Sequence, residues 1–568
     1  MASLNRKFTN HSMESKTSLL SNTGAPDGGR GLARVESMSS MKSSIAEKYS
    51  LAASPRTWGT PLDIRTPEPD DDLHNPSSAR DRFSDRGGAV FSKRGLVNLG
   101  CLTILALGLL MLFGGYPILT HFLTPVLTDQ GGFNLGGINA TGQIPDMIGN
   151  YGLIDRDTPK EALTKISYET GEEMVLVFSD EFNTDGRTFF PGDDPYWEAV
   201  DLWYWGTLDL EWYDPGQVTT KDGALQIKIE KVDDPATNHN MTYKSGMVQS
   251  WNKFCFTGGL IEASVRLPGS NSVGGLWPAV WTLGNLGRAG YGASLEGMWP
   301  YSYDTCDVGT LPNQTYPDGE GPLAAITNGD RYHGNVLSYL PGQRLSACTC
   351  PGESHPGPMR PDGSYVGRAA PEIDIIEALV EDGQGQVSQS SQWAPFNAQY
   401  RWHNTSDNYK IYPDTAVSGL SWTNQSCYEL ADGCFTTFGF EYVPGFDDAY
   451  ITWVNNGNLA WTHYAREANK IIDVISLKYI IANLGISHGF GTLDENLLFP
   501  ATMSIDWIRV YQPSNAIRTT CDPEDFPTAK YIETYREAYT NAELMTWTKD
   551  YKQPWPRNSR SAEGCPRT

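Results

Sequence analysis

An all-β protein is predicted, with a jelly-roll β-sandwich ectodomain behind a single N-terminal transmembrane helix and a disordered cytoplasmic tail. Three observations carry this expectation. Short β-branched and aromatic runs recur between turn residues, and 57 Gly and 36 Pro among 568 residues supply the turns. One stretch, from Leu96 to Leu119, has no charged residue. The residues before it are rich in serine and lack apolar periodicity. The 17 Trp, 28 Tyr and 20 Phe are enough for an extensive core, which excludes disorder of the whole chain.

Residues 1–94 contain 16 Ser, no Cys and one Trp, Trp58. Such a segment cannot bury enough apolar surface to offset its chain entropy, so it is expected to be disordered. The anchor occupies 95–119. At about 1.5 Å per residue its uncharged run is long enough to cross a bilayer with some tilt. Pro117 disturbs only the final turn. The run lies too far along the chain, and is too long, for a cleaved signal peptide. Arg80, Arg82, Arg86, Lys93 and Arg94 precede it, whereas the first charge after it is Asp129. The basic flank stays cytoplasmic. This predicts a single-pass type II protein of the secretory pathway (endoplasmic reticulum, Golgi or plasma membrane), its C-terminal mass lumenal or extracellular.

The 67 acidic and 43 basic side chains give a formal net charge of −24, which excludes a general nucleic-acid binder. Of nine Cys, only Cys101 lies in the span; Cys255, Cys306, Cys348, Cys350, Cys427, Cys434, Cys521 and Cys565 lie beyond it. An even set in an oxidising compartment predicts disulfides. Proximity suggests Cys427 with Cys434, and the bracketing of a helix suggests Cys521 with Cys565. Cys348 and Cys350 are too close to bridge each other easily, so each should find a distant partner. No CxxC or CxxxC pair is present and the His residues are scattered, so neither a metal site nor a cofactor is expected. Glycosylation sequons follow the span at Asn139, Asn240, Asn313, Asn404 and Asn424. The sequon at Asn10 is cytoplasmic on this topology and should stay unmodified.

Beyond the anchor, a Gly-rich stem is expected over 120–169, the sandwich over 170–513 and a Cys-bracketed extension over 514–568. Met174–Phe178, Leu225–Lys231, Leu260–Leu267, Tyr450–Asn455 and Met503–Tyr511 read as strands. The last alternates apolar and polar with period two over most of its length, as a half-buried strand should. Residues 522–550, richer in Glu, Ala and Tyr, are expected to form one helix.

The chemistry concentrates in Pro371-Glu372-Ile373-Asp374-Ile375-Ile376-Glu377-Ala378. In a regular strand Glu372 and Asp374 share a face and Glu377 points away. One extra residue, a β-bulge, returns all three carboxylates to the same side. Long side chains leaning together then bring the two Glu carboxyls towards the roughly 5–5.5 Å of a retaining glycosidase. One attacks the anomeric carbon, the other protonates the departing oxygen, and Asp374 holds their proton affinities apart. Three acids at these offsets arise about once by chance in a chain of this length, so context must decide. Upstream lies Gly274-Gly275-Leu276-Trp277-Pro278-Ala279-Val280-Trp281, which puts Trp277 and Trp281 on one strand face, where aromatic rings stack well on sugars. Pro278 suits an edge or the start of such a strand better than its centre.

Glu372–Glu377 resembles the active-site signature of the family 16 glycoside hydrolases, retaining β-glucanases with a jelly-roll fold. Val177–Asn183, Leu276–Trp281 and Ser504–Tyr511 match the same family in the same order. A narrower resemblance, from about residue 90 onwards, is to the fungal β-glucan-synthesis-associated proteins of the Skn/Kre type. It rests on the lone span, residues 245–259, 284–292 and 298–310, and the Cys-bracketed tail. It implies a type II membrane protein needed for cell-wall β-1,6-glucan. By motif position it makes Glu372 the nucleophile, Glu377 the acid/base and Asp374 their helper. Two features depart from the family pattern: Phe435-Thr436-Thr437-Phe438 stands where many members have Phe-His-x-Tyr, and a long Gly- and Pro-rich insertion separates Trp281 from Glu372.

Two functions stay open on these residues. One is a membrane-anchored β-glucan hydrolase or transglycosylase, the other a non-hydrolytic glucan-binding or assembly factor that keeps the fold. Gly485-Ile486-Ser487-His488-Gly489 fits the G-x-S-x-G pattern of serine hydrolases, but that motif needs a strand–elbow–helix context and the residues after it read as loop.

Overall fold

The computed structural model describes residues 93–116, 118–119, 152–300, 347, 349–350, 353, 359–367, 370–392, 409–412, 420–445, 449–464, 477–557, 559 and 564–566. The tail before the anchor, most of the stem, Cys306, Cys348 and the sequons at Asn139, Asn313 and Asn404 lie outside them. The anchor is helical over Lys93–Leu110 and continues as a π-turn over Met111–Gly115. Its apolar stretch Leu96–Gly115 is 20 residues, and it has no buried side chains within the protein. That is about 30 Å of helix, enough for a bilayer core.

The ectodomain is built from two sheets. The larger has twelve strands, among them Glu173–Asp180, Ala224–Lys231, Gly259–Arg266, Thr436–Val443, Tyr450–Asn455, Asn458–Tyr464 and Ala501–Pro513. The smaller has seven, ordered Leu420–Trp422, Gln384–Gln392, Glu372–Glu381, Trp277–Gly284, Lys478–Gly485, Met247–Gln249 and Glu198–Ala199. All pairings within the smaller sheet are antiparallel. Every predicted strand run is present. In Ala501–Pro513 the alternation slips at Asp506, where the register against Gly259–Arg266 shifts between Ile505 and Trp507. The bulge keeps Met503, Ile505, Ile508 and Val510 all buried.

Two apolar cores result. The first lies between the sheets and takes Ile373, Ile375, Ile376, Val280, Ile480, Phe438, Trp453 and Ile505. The second covers the other face of the smaller sheet. It joins Ala279, Trp281, Leu283, Tyr479 and Ile481 to Leu202, Met298, Tyr531, Tyr539 and Trp547. The C-terminal extension is therefore part of the same packed body.

Three sequence expectations are corrected here. Cys521 does not pair with Cys565: among the described residues the bonds are Cys255–Cys521, Cys350–Cys565 and Cys427–Cys434, so the last matches and Cys350 has the distant partner expected of it. Bracketing a helix in sequence does not bring its ends together when each end packs on a different part of the sandwich. The 522–550 helix is instead two short ones, Ala529–Thr534 and Arg536–Thr540, broken at Tyr535 (φ −112°, ψ 31°). Tyr531, Ile532, Tyr539 and Trp547 are all sunk into the second core, and this packing overrides helix propensity. Finally, Thr164–Ile166, expected in the stem, pairs antiparallel with Glu173–Val175, and Ser167 and Tyr168 bond to Glu441.

Candidate active site

Glu372–Glu381 lies near the middle of the smaller sheet, between Trp277–Gly284 and Gln384–Gln392. The predicted bulge is present. Asp374 faces Ser390 and Glu377 faces Ser388, so Ile375 and Ile376 together oppose the single residue Gln389. On the other side, Trp281 faces Asp374 and Val280 faces Ile376. Ile373, Ile375 and Ile376 are fully buried between the sheets, while Glu372, Asp374 and Glu377 turn to the opposite face. Without the extra residue, Glu377 would enter the apolar core.

A bulge leaves backbone carbonyls without ladder partners, and here side chains supply them. Gln389 is buried and its Nε2 donates to the Ile375 carbonyl at 3.0 Å and to the Val454 carbonyl at 2.9 Å. Trp453, from the facing sheet, donates its indole N–H to the Asp374 carbonyl at 2.9 Å. The irregularity is thus held from below by both sheets.

On the open side each carboxylate has a donor. Trp299 Nε1 donates to Glu372 Oε2 at 2.7 Å, and Trp277 Nε1 donates to Glu377 Oε1 at 3.2 Å. Ser390 Oγ reaches Asp374 Oδ2 at 2.6 Å and Glu377 Oε2 at 3.4 Å, which puts these two acids side by side. Burial, and then the charge of Glu377, push Glu372 up to about 7; hydrogen bonds from Trp299 and Asp374 and the charge of Lys478 oppose that rise. Asp374 is raised well above the usual carboxylate range, first by burial and then by the charges of Glu372 and Glu377. Three carboxyls so close cannot all ionise. The surroundings of Asp374 favour its protonated form, in which it donates to Glu372.

The two predicted aromatic residues sit beside these acids in different ways. Trp277 is half-buried and stacks on Phe490 with ring centroids 4.2 Å apart. Trp281 is buried in the second core and donates its N–H to Asn483 at 2.8 Å. Pro278 occupies the second position of its strand, before pairing with Glu372–Glu381 begins at Ala279, so its missing N–H costs no ladder bond there. Phe438, in the segment that departs from the Phe-His-x-Tyr pattern, is buried between the sheets, away from the carboxylate face.

Ser487 is not a nucleophile poised on an elbow. Its hydroxyl is buried and donates to the Thr207 carbonyl at 2.8 Å, and turns rather than a helix follow it. Among the described residues no cluster of His, Cys, Asp and Glu has the arrangement of a metal site. Two sequons are described: Asn240 is exposed in a turn with φ +64°, and Asn424 is half-buried.

Sequence reasoning missed Ser390, Trp299 and Tyr204. Ser390 had a signal: Asp382-Gly383, with φ of 52° and 73°, makes the two-residue hairpin turn that fixes which residue faces Asp374. Tyr204 lies near Glu372 and Asp374, and burial with their charges raises its hydroxyl well above its ordinary value. Neither Tyr204 nor Trp299 belongs to the strand they serve, so no periodicity marks them.

The chain matches the family model described as beta-glucan synthesis-associated protein SKN1/KRE6/Sbg1 over residues 60–565. It is 39% identical over 536 residues to the beta-glucan synthesis-associated protein KRE6 of Saccharomyces cerevisiae, covering 88% of this chain and 69% of that protein. It is 39% identical over 528 residues to the beta-glucan synthesis-associated protein SKN1 of Candida albicans, covering 85% of this chain and 65% of that one. The chain therefore spans about two thirds of the length of these relatives. Among solved structures, a non-specific endo-β-1,3(4)-glucanase from family GH16 is similar at 17% identity and a TM-score of 0.37, covering 61% of this chain and 94% of that one. With the family model matched from residue 60 to residue 565, this chain belongs to the SKN1/KRE6/Sbg1 family of β-glucan synthesis-associated proteins.

Proposed function

We propose that this protein is a membrane-anchored retaining β-glucan hydrolase or transglycosylase acting in the synthesis of cell-wall β-1,6-glucan. The observation that carries the reading is the bulged strand with Glu372, Asp374 and Glu377 on one face, each within reach of a hydrogen-bond donor. In this reading Glu372 attacks the anomeric carbon while Glu377 passes a proton to the departing oxygen, leaving a glycosyl-enzyme ester. Glu377, now ionised, draws a proton from water or from a sugar hydroxyl, whose oxygen displaces Glu372 with net retention. Asp374, protonated and bonded to Glu372, steadies the carboxylate before attack and after release. Trp277 lines the sugar position nearest the reacting carbon, whereas Trp281, buried in the second core, supports the strand from within rather than touching sugar. Residues 1–94 form the cytoplasmic tail, 95–119 the anchor and 120–163 a stem; the ectodomain lies in the secretory pathway, glycosylated at its sequons.

The test is incubation of the purified protein with defined β-1,3- and β-1,6-oligoglucosides, followed by sizing of the products. Shorter products mean hydrolysis, and products longer than the substrate mean transfer. Unchanged oligosaccharides that nevertheless bind would replace this reading with that of a glucan-binding assembly factor.

A further inference from the structure

Among the described residues, the segment between Trp277–Gly284 and Glu372–Glu381 brings the Trp299 side chain to the carboxylate face. Trp299 follows the short helix Gly292–Leu295, and its backbone N–H closes on the Leu295 carbonyl at 2.9 Å. The flanking residues are pinned from beneath: Met298 is buried in the second core, and Glu296 accepts the Trp547 backbone N–H at 2.5 Å. The Trp299 ring itself stays 41% exposed. So exposed an indole is unusual for Trp, which is highly buried on average. Among the described residues its indole N–H is directed at Glu372 Oε2, with a 2.7 Å bond.

We propose that Trp299 is a positioning residue for the nucleophile, fixing the Glu372 carboxylate through a single indole N–H supplied by the insertion. The proposal rests on the catalytic reading above for its effect on rate, but its physical core does not. An indole N–H can only donate, so it matches an ionised carboxylate and not a protonated carboxyl turned towards it. It holds one oxygen and the rotamer while the carboxylate forms its bond to the anomeric carbon, the glycosidic bond breaks and Glu377 gives its proton to the leaving oxygen. The other groups facing Glu372 are Asp374 and Glu377 on its own strand, Lys478 and Tyr479 on Lys478–Gly485, the second strand away across Trp277–Gly284, and Tyr204. Of the two donors bonded to Glu372, Asp374 can lose its proton as the pH rises and Trp299 cannot.

Trp299→Phe keeps a ring and removes the donor. In full-length protein held in detergent, the melting temperature is measured at pH 4.5 and pH 8, in the native and Glu372→Gln backgrounds. The Phe variant should lose several degrees more at pH 8, where Glu372 is ionised, and that pH dependence should vanish in Glu372→Gln. On an accepted glucan substrate, kcat/KM at neutral pH should fall about 10–100-fold, the size expected for a hydrogen bond to a charged group. KM should stay within about twofold, and the acid limb of the pH profile should move to higher pH. Trp299→His, which restores an N–H, should recover part of the loss. An equal loss of melting temperature at both pH values and in both backgrounds overturns the proposal, because that is what a packing role predicts. The pH-dependent pattern without glucan turnover in the native protein upholds the proposal and sinks the catalytic reading, so the two failures are distinguishable.

Discussion

Replacing Glu372 by Gln should make the protein more stable at alkaline pH and no more stable in acid. The fold raises Glu372 from its ordinary 4.5 to about 7, chiefly through burial and the charge of Glu377. A carboxyl raised in this way favours the folded state while protonated. That contribution is complete below about pH 4.5 and is lost as the pH rises through about 7. The displacement corresponds to about 3 kcal/mol at pH 8, from 1.36 kcal/mol per decade of proton affinity. Gln is neutral at every pH, and its amide oxygen can still accept from Trp299. It removes the cost of a buried anion while preserving shape. For a domain of this size about 3 kcal/mol amounts to roughly 3–5 °C. Tryptophan fluorescence during heating, in detergent, at pH 4.5 and pH 8, measures it directly. Equal melting temperatures at pH 8, or a lower one for the variant, would refute the claim that these acids are crowded against their preference.

Other outcomes follow from the same geometry. Gln389→Leu conserves volume but leaves the Ile375 and Val454 carbonyls unpaired; a loss of about 2–4 kcal/mol in urea unfolding is expected, with a proportionally larger loss of glucan processing as the bulge relaxes. Replacing Cys255 and Cys521 together by Ser opens a link across 266 residues between the sandwich and its C-terminal extension. Unfolding free energy should drop by about 3–5 kcal/mol, and non-reducing peptide maps of the native protein should contain this pair and lack Cys521–Cys565. Protease added to sealed microsomes should remove only the tail before the anchor; digestion of the ectodomain without detergent would reverse the topology.

Much of the site was legible because its residues conflict with a regular strand. Glu372, Asp374 and Glu377 share a face only if one residue is extra, and the Ile375-Ile376 doublet supplies it while feeding the core. The strands themselves were readable from alternation, even in Ala501–Pro513, where a second bulge displaces the pattern by one. What could not be read depends on contacts between distant segments. Trp299 reaches Glu372 from a separate insertion, and Gln389 and Trp453 support the bulge through bonds to backbone carbonyls that no side-chain pattern announces. The Cys350–Cys565 bond and the breaking of the C-terminal helix at Tyr535 have the same origin: both follow from how the extension packs on the sheet.

Covalent trapping tests the central claim most directly. The full-length protein would be incubated with a slow glucosyl donor bearing a fluorine at C2 and a good leaving group, which lets the glycosyl-enzyme form and delays its breakdown. Peptide mass mapping then locates the sugar. One glycosyl adduct is expected on Glu372, absent in Glu372→Gln and still formed, with this good leaving group, in Glu377→Gln. Glucan turnover by the native protein with Glu372 unlabelled, or undiminished turnover by Glu372→Gln, would contradict it.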